Sequence, residues 1–176
     1  MTQYEAITDF AMEHYGLVTS AEAEANGVRV KDMAEWVKLG RLEKCGRGVY
    51  RLVHYVPTEY DRYAEAVAHV GEGAMVWGQS VLAMHNLALV NPPQIDVACA
   101  RRVRRSLPKW IRLVKTPAGA KAEDFNGIRC QSLAQALRDA RGSVMTERLA
   151  TAVREAGMRG LLGAGEFEEL KKEFGA

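Results

Sequence analysis

The residues best suited to a defined chemistry are seven Lys and Arg side chains between positions 29 and 51, which could bind phosphate. Residues 1–28 contain five acidic residues and no Lys or Arg, whereas residues 29–51 contain seven basic and three acidic residues. The net charge therefore changes from −5 to +4 between two adjacent segments. Because a concentrated positive charge attracts polyanions, this asymmetry favours contact with nucleic acid. The formal charge of the whole chain, +2, is too small to indicate this by itself.

Two short helices are predicted, and the second of them carries part of the positive charge. Thr19 precedes Glu22 by three residues, the spacing of a capping box, so a helix is expected to begin at Ser20. Gly27 is expected to end it, since glycine adopts a left-handed conformation at little cost. The next helix carries its apolar residues at helical spacing, which predicts one buried stripe: Val30, Met33, Trp36 and Val37.

A β-hairpin is predicted directly after the second helix. Gly40 ends that helix, Leu42 begins a strand, residues 46–48 form the turn, and Val49 begins the return strand. Helix, turn, helix and hairpin in this order are typical of a winged helix-turn-helix, which usually places its second helix in a DNA groove. The alternative is a small helical subdomain with an ordinary solvated surface.

Within this module the predicted DNA contacts lie at helix starts, on the second helix and in the β-hairpin, which forms the wing. A helix start favours phosphate through its backbone N–H groups, and a basic side chain at a hairpin tip is able to enter a minor groove. The predicted contact residues are Ser20, Arg29, Lys31, Lys38, Lys44, Arg47 and Arg51.

The remaining chain predicts a second domain of α+β type. Pro57 marks the expected boundary, which gives a winged domain at 1–56 and a second domain at 57–176 that includes an amphipathic helix up to about Val70. Strand-like runs at 95–100, 110–114 and 128–131 indicate a small, mostly antiparallel sheet, and helices follow it to the C-terminus. The fold class expected for the whole chain is α+β, a winged helix-turn-helix followed by a mixed α/β domain.

A second basic cluster lies in the second domain. Residues 101–115 contain seven bases and no acid, and such a density of like charge needs either an anionic partner or free water. The cluster is interpreted as a second DNA contact or as a docking surface for an acidic partner protein, against the alternative of a solvated hairpin tip. Its main members are Arg101, Arg102, Arg104, Arg105, Lys109 and Arg112.

Catalytic, metal-binding and membrane functions have weak support in the sequence. No nucleophile elbow, phosphate loop or dinucleotide fingerprint is present, and a nuclease-like site would have to be assembled from Asp96, Glu123 and Asp124. The three cysteines are far apart and lack metal-ligand spacing. No apolar run approaches the length of a membrane span. We therefore expect a cytoplasmic, non-enzymatic protein without a metal or cofactor.

The winged segment resembles a known family. Residues 16–19, 21–23, 27–28 and 40–44, with the run Arg-Gly-Val-Tyr-Arg-Leu at 47–52, are similar to the N-terminal winged domain of AbiEi-type antitoxins from bacterial type IV toxin–antitoxin (abortive infection) systems. The similarity continues more weakly through residues 76–87 and 91–105.

This resemblance implies a transcriptional autorepressor that binds double-stranded DNA at its own promoter, for which we expect inverted repeats. It also implies neutralisation of a nucleotidyltransferase-like toxin by the second domain. Two alternatives remain open at this point: a protein-interaction module whose winged fold and arginine run dock a partner protein, and a metal-dependent nuclease.

Overall fold

The first helices begin at side-chain caps that the sequence specifies. The computed structural model describes all residues from 1 to 176. Helix α1 (Gln3–Met12) is capped by Thr2 and Glu5. Helix α2 (Ser20–Ala25) begins with the predicted capping box, in which the Thr19 hydroxyl accepts from the Glu22 amide at 3.2 Å and the Glu22 carboxylate accepts from the Thr19 amide at 2.8 Å. Gly27 follows with φ +75°, as the predicted turn requires.

A three-stranded antiparallel sheet completes the winged fold. Strand β1 (Leu17–Thr19) precedes α2, and helix α3 (Val30–Lys38) leads into β2 (Leu42–Gly46) and β3 (Val49–Leu52), with the strand order β1-β3-β2. The hairpin turn is Arg47-Gly48, and the register shifts between Lys44 and Gly46. The predicted winged helix-turn-helix is confirmed, and a buried cluster holds its helices on the sheet: Ile7, Ala11, Val18, Ala23, Val28, Met33, Leu42, Tyr50 and Leu52.

Helix α4 (Asp61–Val70) extends this first unit beyond the boundary expected from the sequence. The chain divides into two compact units, and the first comprises Met1–Glu72 together with Arg105–Pro108. Helix α4 contacts β1 and β3, although the sequence analysis placed this helix in the second domain. Pro57 therefore interrupts the chain inside the first unit. The apolar face of α4 is buried there through Tyr63, Ala66 and Val70.

The second unit (Gly73–Arg104 and Lys109–Ala176) contains a five-stranded mixed sheet. Its strands are β4 (Met75–Val76), β5 (Ile95–Cys99), β6 (Ile111–Lys115), β7 (Ala122–Phe125) and β8 (Ile128–Gln131), in the order β6-β5-β4-β8-β7. Two neighbouring pairs, β5 with β6 and β4 with β8, are parallel. The expectation of a mostly antiparallel sheet was therefore wrong, and the sheet contains a strand, β7, outside the three strand-like runs predicted from the sequence.

Helices complete the second unit. Helix α5 (Gln79–Met84) follows β4, and three more helices follow β8: α6 (Leu133–Asp139), α7 (Thr146–Met158) and α8 (Ala164–Phe174). Helices α5 and α6 contact each other, as do α7 and α8. The predicted α+β class, with its small second sheet and C-terminal helices, is confirmed. None of the eight helices has the length and apolar character needed to cross a membrane.

Candidate nucleic-acid interface

The outward face of α3 carries two of the predicted contact residues. At 100° per residue, Met33, Trp36 and Val37 lie on one side of this helix and pack on the core, while Lys31 and Lys38 lie on the other side and are exposed. The Lys38 side chain is 76% exposed and its ammonium lies 3.8 Å from the Glu35 carboxylate. Exposed pairs of this kind are weak, so both ammonium groups are accessible to phosphate.

Val30 does not belong to the buried stripe predicted for α3. It is the first residue of the helix and remains 42% exposed, on the side that also presents Ala34. The helical spacing that suggested burial fails here because Val30 is the first residue of the helix, at the edge of the arc that packs on the core. The exposed arc of α3 thus combines the apolar side chains of Val30 and Ala34 with two lysines and the exposed Glu35.

Arg29 sits at the N-cap of α3 but is not free. Its guanidinium forms a bidentate pair with the Asp32 carboxylate, with distances of 2.8 and 3.0 Å. The hydrogen bonds from Arg29 hold the pKa of Asp32 below its usual value, and the same pair raises the pKa of Arg29. The Arg29 side chain is 68% exposed, so a stronger anion is able to compete with Asp32 for it.

The wing presents Lys44 and Arg47 to solvent. Arg47 occupies the hairpin turn, beside Gly48, whose φ of +72° suits glycine. The Gly48 carbonyl accepts a hydrogen bond from the Ser20 amide at 2.9 Å, which fixes the start of α2 next to the wing turn. Ser20, half-buried, is therefore near Arg47 although 27 positions separate them in the sequence.

Arg51 points into the first unit and away from the role predicted for it. Its guanidinium lies 3.1 Å from the Glu65 carboxylate and 4.0 Å from Asp61, and its side chain is only 20% exposed. Both carboxylates belong to α4, which the sequence analysis assigned to another domain. A hydrogen bond from His69, with a further contribution from Arg51, lowers the pKa of Glu65. Arg51 thus holds β3 to α4 and is not part of an exposed DNA-binding surface.

Comparison with known proteins identifies this winged segment. Residues 5–53 match the model of a family described as "Transcriptional regulator, AbiEi antitoxin". The N-terminal segment is therefore similar to AbiEi antitoxins. The match spans α1 to β3 and confirms the resemblance drawn from the wing motif. No curated protein matches the chain.

The matched AbiEi-type segment contains all seven residues predicted to contact DNA. It ends at Val53, before α4, so the carboxylates that hold Arg51 lie outside it. Sequence reasoning missed these partners because a pairing over 14 residues leaves no periodic signal. The exposure of Val30 was also missed, although its place at the first position of α3 was a signal that it could lie outside the core.

The second basic cluster lies outside the AbiEi-type segment and is divided between the two units. Residues 100–110 form an irregular connection between β5 and β6, and because these strands are parallel it is a crossover, not the hairpin tip considered from the sequence. Arg101, Arg102, Arg104 and Lys109 are exposed in the second unit, whereas Arg105 belongs to the first, where it lies near Gly71.

Arg112 differs from the rest of this cluster. It is directly opposite Asp96 in the parallel register of β5 and β6, and its guanidinium forms two hydrogen bonds with that carboxylate at 2.6 and 2.7 Å. These hydrogen bonds raise the pKa of Arg112. Asp96 is buried, so Arg112 serves first to neutralise a carboxylate inside the second unit.

The three acids considered for a nuclease-like site are not brought together. Asp96 pairs with Arg112, Glu123 accepts from the Leu133 amide at 3.2 Å, and Asp124 accepts from the Gly127 amide at 2.9 Å. Strands β4 and β8 lie between β5 and β7, a separation of three strand spacings or about 14 Å. No group of three or more His, Cys, Asp or Glu residues is arranged to hold a metal ion.

Proposed function

We propose that this protein is a sequence-specific DNA-binding repressor of its own promoter. One observation carries the proposal: the match to a transcriptional-regulator family falls on the winged domain. Helix α3 and the wing of this domain present exposed cations. The four cations are Lys31, Lys38, Lys44 and Arg47. Contacts from basic side chains to phosphate position a protein on DNA and provide most of its non-specific affinity.

Each element of the winged domain has a distinct role in this proposal. Helix α3 enters the major groove, with Lys31 and Lys38 on its outward face. Arg47 at the wing turn reaches the adjacent minor groove, and Lys44 contacts the backbone beside it. Ser20 contributes its hydroxyl to a phosphate near the wing, and Arg29 lies beside the interface, where it remains paired with Asp32. Arg51 acts indirectly, as a positioning residue for β3.

The operator is proposed to contain inverted repeats. A single winged domain reads one half-site, and two copies of the chain on a palindromic sequence would double the contact area. The two copies are proposed to meet on the DNA.

The second unit is proposed to provide the antitoxin function of a type IV toxin–antitoxin system. The family description names an antitoxin, and the AbiEi-type segment leaves residues 54–176 outside the match. In this proposal the second unit neutralises a nucleotidyltransferase-like toxin, and the exposed bases Arg101, Arg102, Arg104 and Lys109 supply a surface for an acidic partner or for DNA. The proposal includes no catalytic step.

The test is binding to the DNA directly upstream of the gene, compared with a shuffled duplex of equal composition. Affinities measured at two salt concentrations should fall with salt, because each neutralised phosphate adds about 0.9 to the log–log slope. Binding that is absent, or equal for the two duplexes, would overturn the repressor proposal. Rescue of bacteria from the product of a neighbouring nucleotidyltransferase gene tests the antitoxin proposal separately. Rescue without promoter binding would favour the protein-interaction module.

A further inference from the structure

The outward face of α3 has a composition that is unusual for a surface exposed only to water. Val30 is 42% exposed at the first position of the helix, and Ala34 follows one turn later on the same side. Neither packs with the core cluster that holds Met33, Trp36 and Val37. Valine has a low helix propensity, and an exposed valine removes little apolar surface from water. Neither effect therefore accounts for a valine at this position.

The polar side chains near Val30 leave it accessible. Arg29 is drawn along the helix to Asp32 by two hydrogen bonds, and Glu35 lies toward Lys38. At 100° per residue, Val30 and Ala34 are 40° apart, Lys38 follows 40° further round, and Lys31 lies 20° beyond Lys38. The two apolar side chains therefore lie at one edge of the exposed arc, the two lysines lie at its middle, and the exposed Glu35 lies 40° beyond Lys31.

This arrangement matches the chemistry of one base in the major groove. The N-terminal residues of a recognition helix are those that meet base edges. Thymine presents a C5 methyl group there, and apolar side chains such as Ala contact it, whereas guanine is read by Arg or Lys with two hydrogen bonds. Because Arg29 is occupied by Asp32, the start of α3 offers methyl groups and no free guanidinium.

We propose that Val30 and Ala34 recognise thymine methyl groups, so that each operator half-site carries thymines at the positions facing the start of α3. The inference rests on the proposed function, since it requires α3 to lie in the major groove of the operator. Lys31 and Lys38 contact the flanking phosphates and supply affinity without distinguishing the bases. Specificity in this interface thus depends mainly on apolar contact.

The experiment replaces thymine by uracil in the DNA segment upstream of the gene, which removes the C5 methyl group and leaves base pairing unchanged. The full chain is titrated against the thymine duplex, the uracil duplex and a shuffled duplex in both forms. We expect affinity for the upstream segment to fall about fourfold for each methyl group in contact, the ratio expected for one buried methylene-sized group. Affinity for the shuffled duplex should stay the same in both forms.

The Val30→Thr variant assigns the effect to α3. Threonine has nearly the shape of valine but replaces one methyl by a hydroxyl, and the exposed site tolerates it. The variant should bind the thymine duplex more weakly and lose less than the wild type on substitution by uracil. Leu39→Thr is the matched control: Leu39 is 58% exposed just after α3, and its change should leave the uracil effect intact.

The outcomes separate the two proposals. Specific binding that is unaffected by uracil would overturn the recognition of thymine and leave the repressor proposal standing. A uracil effect of equal size in wild type and Val30→Thr would overturn the assignment to α3. Absence of specific binding to the thymine duplex would overturn both proposals. The uracil comparison on the wild-type chain needs no variant, so it remains decisive if Val30→Thr folds poorly.

Discussion

The Arg51 guanidinium lies 3.1 Å from the Glu65 carboxylate and thereby joins the return strand of the wing to helix α4. Both side chains are largely buried, at 20% and 16% exposure. Glu65 also lies 3.2 Å from the His69 ring, and His69 lies close to Gly46 at the end of β2. The hairpin that carries Lys44 and Arg47 is therefore supported from behind by charged residues of α4.

Replacing Arg51 by Ala should destabilise the first unit by about 2 kcal/mol, because it leaves the carboxylates of Glu65 and Asp61 partly buried without their cation. The free energy of urea unfolding provides the measurement. Lys44→Ala, on the exposed side of the same hairpin, is the control and should change it by less than about 0.5 kcal/mol. A smaller loss of unfolding free energy in Arg51→Ala than in Lys44→Ala would contradict the structural role of Arg51.

Replacing Asp32 by Asn should strengthen binding to DNA at low salt. The change removes one negative charge from α3 and releases the Arg29 guanidinium, which then gains a phosphate contact. The log–log salt slope should steepen by up to about 0.9. Asp9→Asn, an equal change of charge on α1, should leave the slope unchanged. A slope that is insensitive to Asp32→Asn would show that Arg29 does not lie beside the interface.

Replacing Gly46 by Ala should distort the base of the wing. A Cβ atom at this position would lie 2.5 Å from Cε1 of the His69 ring, and His69 is buried, so ring and strand must separate. Such overpacking costs about 1–3 kcal/mol, which thermal unfolding would detect. In Gly165→Ala, the added methyl meets open space within α8, so this control should be neutral or stabilising. Equal melting temperatures for the two variants would contradict the contact.

The stability of the second unit should depend on pH through His85. Burial, with a smaller contribution from the charge of Arg159, lowers the pKa of His85 from its ordinary 6.5 to about 4. Both ring nitrogens are buried without a hydrogen-bond partner, against the Phe125 ring at 4.0 Å. Between these two pH values the unfolded chain binds a proton that the folded chain does not bind. Stability should therefore fall as pH decreases from 6.5 to 4, by at most about 1.4 kcal/mol per pH unit.

The variant His85→Phe should remove this pH dependence, since it keeps a ring in the apolar site and eliminates the titrating group. Urea midpoints of wild type and variant are measured from pH 7 to pH 4. As the pH falls, the midpoint of the wild type should decrease relative to that of the variant. His54→Phe, at an exposed position, serves as the control. Parallel pH profiles for wild type and His85→Phe would show that the folded protein accommodates a charged His85.

Local features of the fold were predictable because they depend on neighbouring residues. The capping box of Thr19 and Glu22, the turn at Gly27 and the hairpin at residues 46–48 need only short-range hydrogen bonds and glycine conformations. Their order was sufficient to predict the winged fold. The family match of residues 5–53 coincides with this region, where the sequence motif is most specific.

Features that depend on distant partners were not predictable. The assignment of α4 to the second domain relied on Pro57, which interrupts the chain without separating the units. The role expected for Arg51 changed once α4 placed Glu65 and Asp61 against it. The parallel pairing of β5 and β6 could not be recognised because the connection between them contains no helix. Val30 has the spacing of a core residue, and only its position at the helix start leaves it exposed.

The central claim, specific binding through α3, is tested most directly by the affinity ratio between the upstream DNA and a shuffled duplex, measured at fixed salt. We compare wild type with Lys31→Ala/Lys38→Ala and with Lys121→Ala/Lys172→Ala, which removes the same charge from exposed lysines of the second unit. The account predicts that wild type and the second variant prefer the upstream DNA strongly, and that the α3 variant binds it much more weakly. Equal affinities for the two duplexes, or equal losses in the two variants, would contradict it.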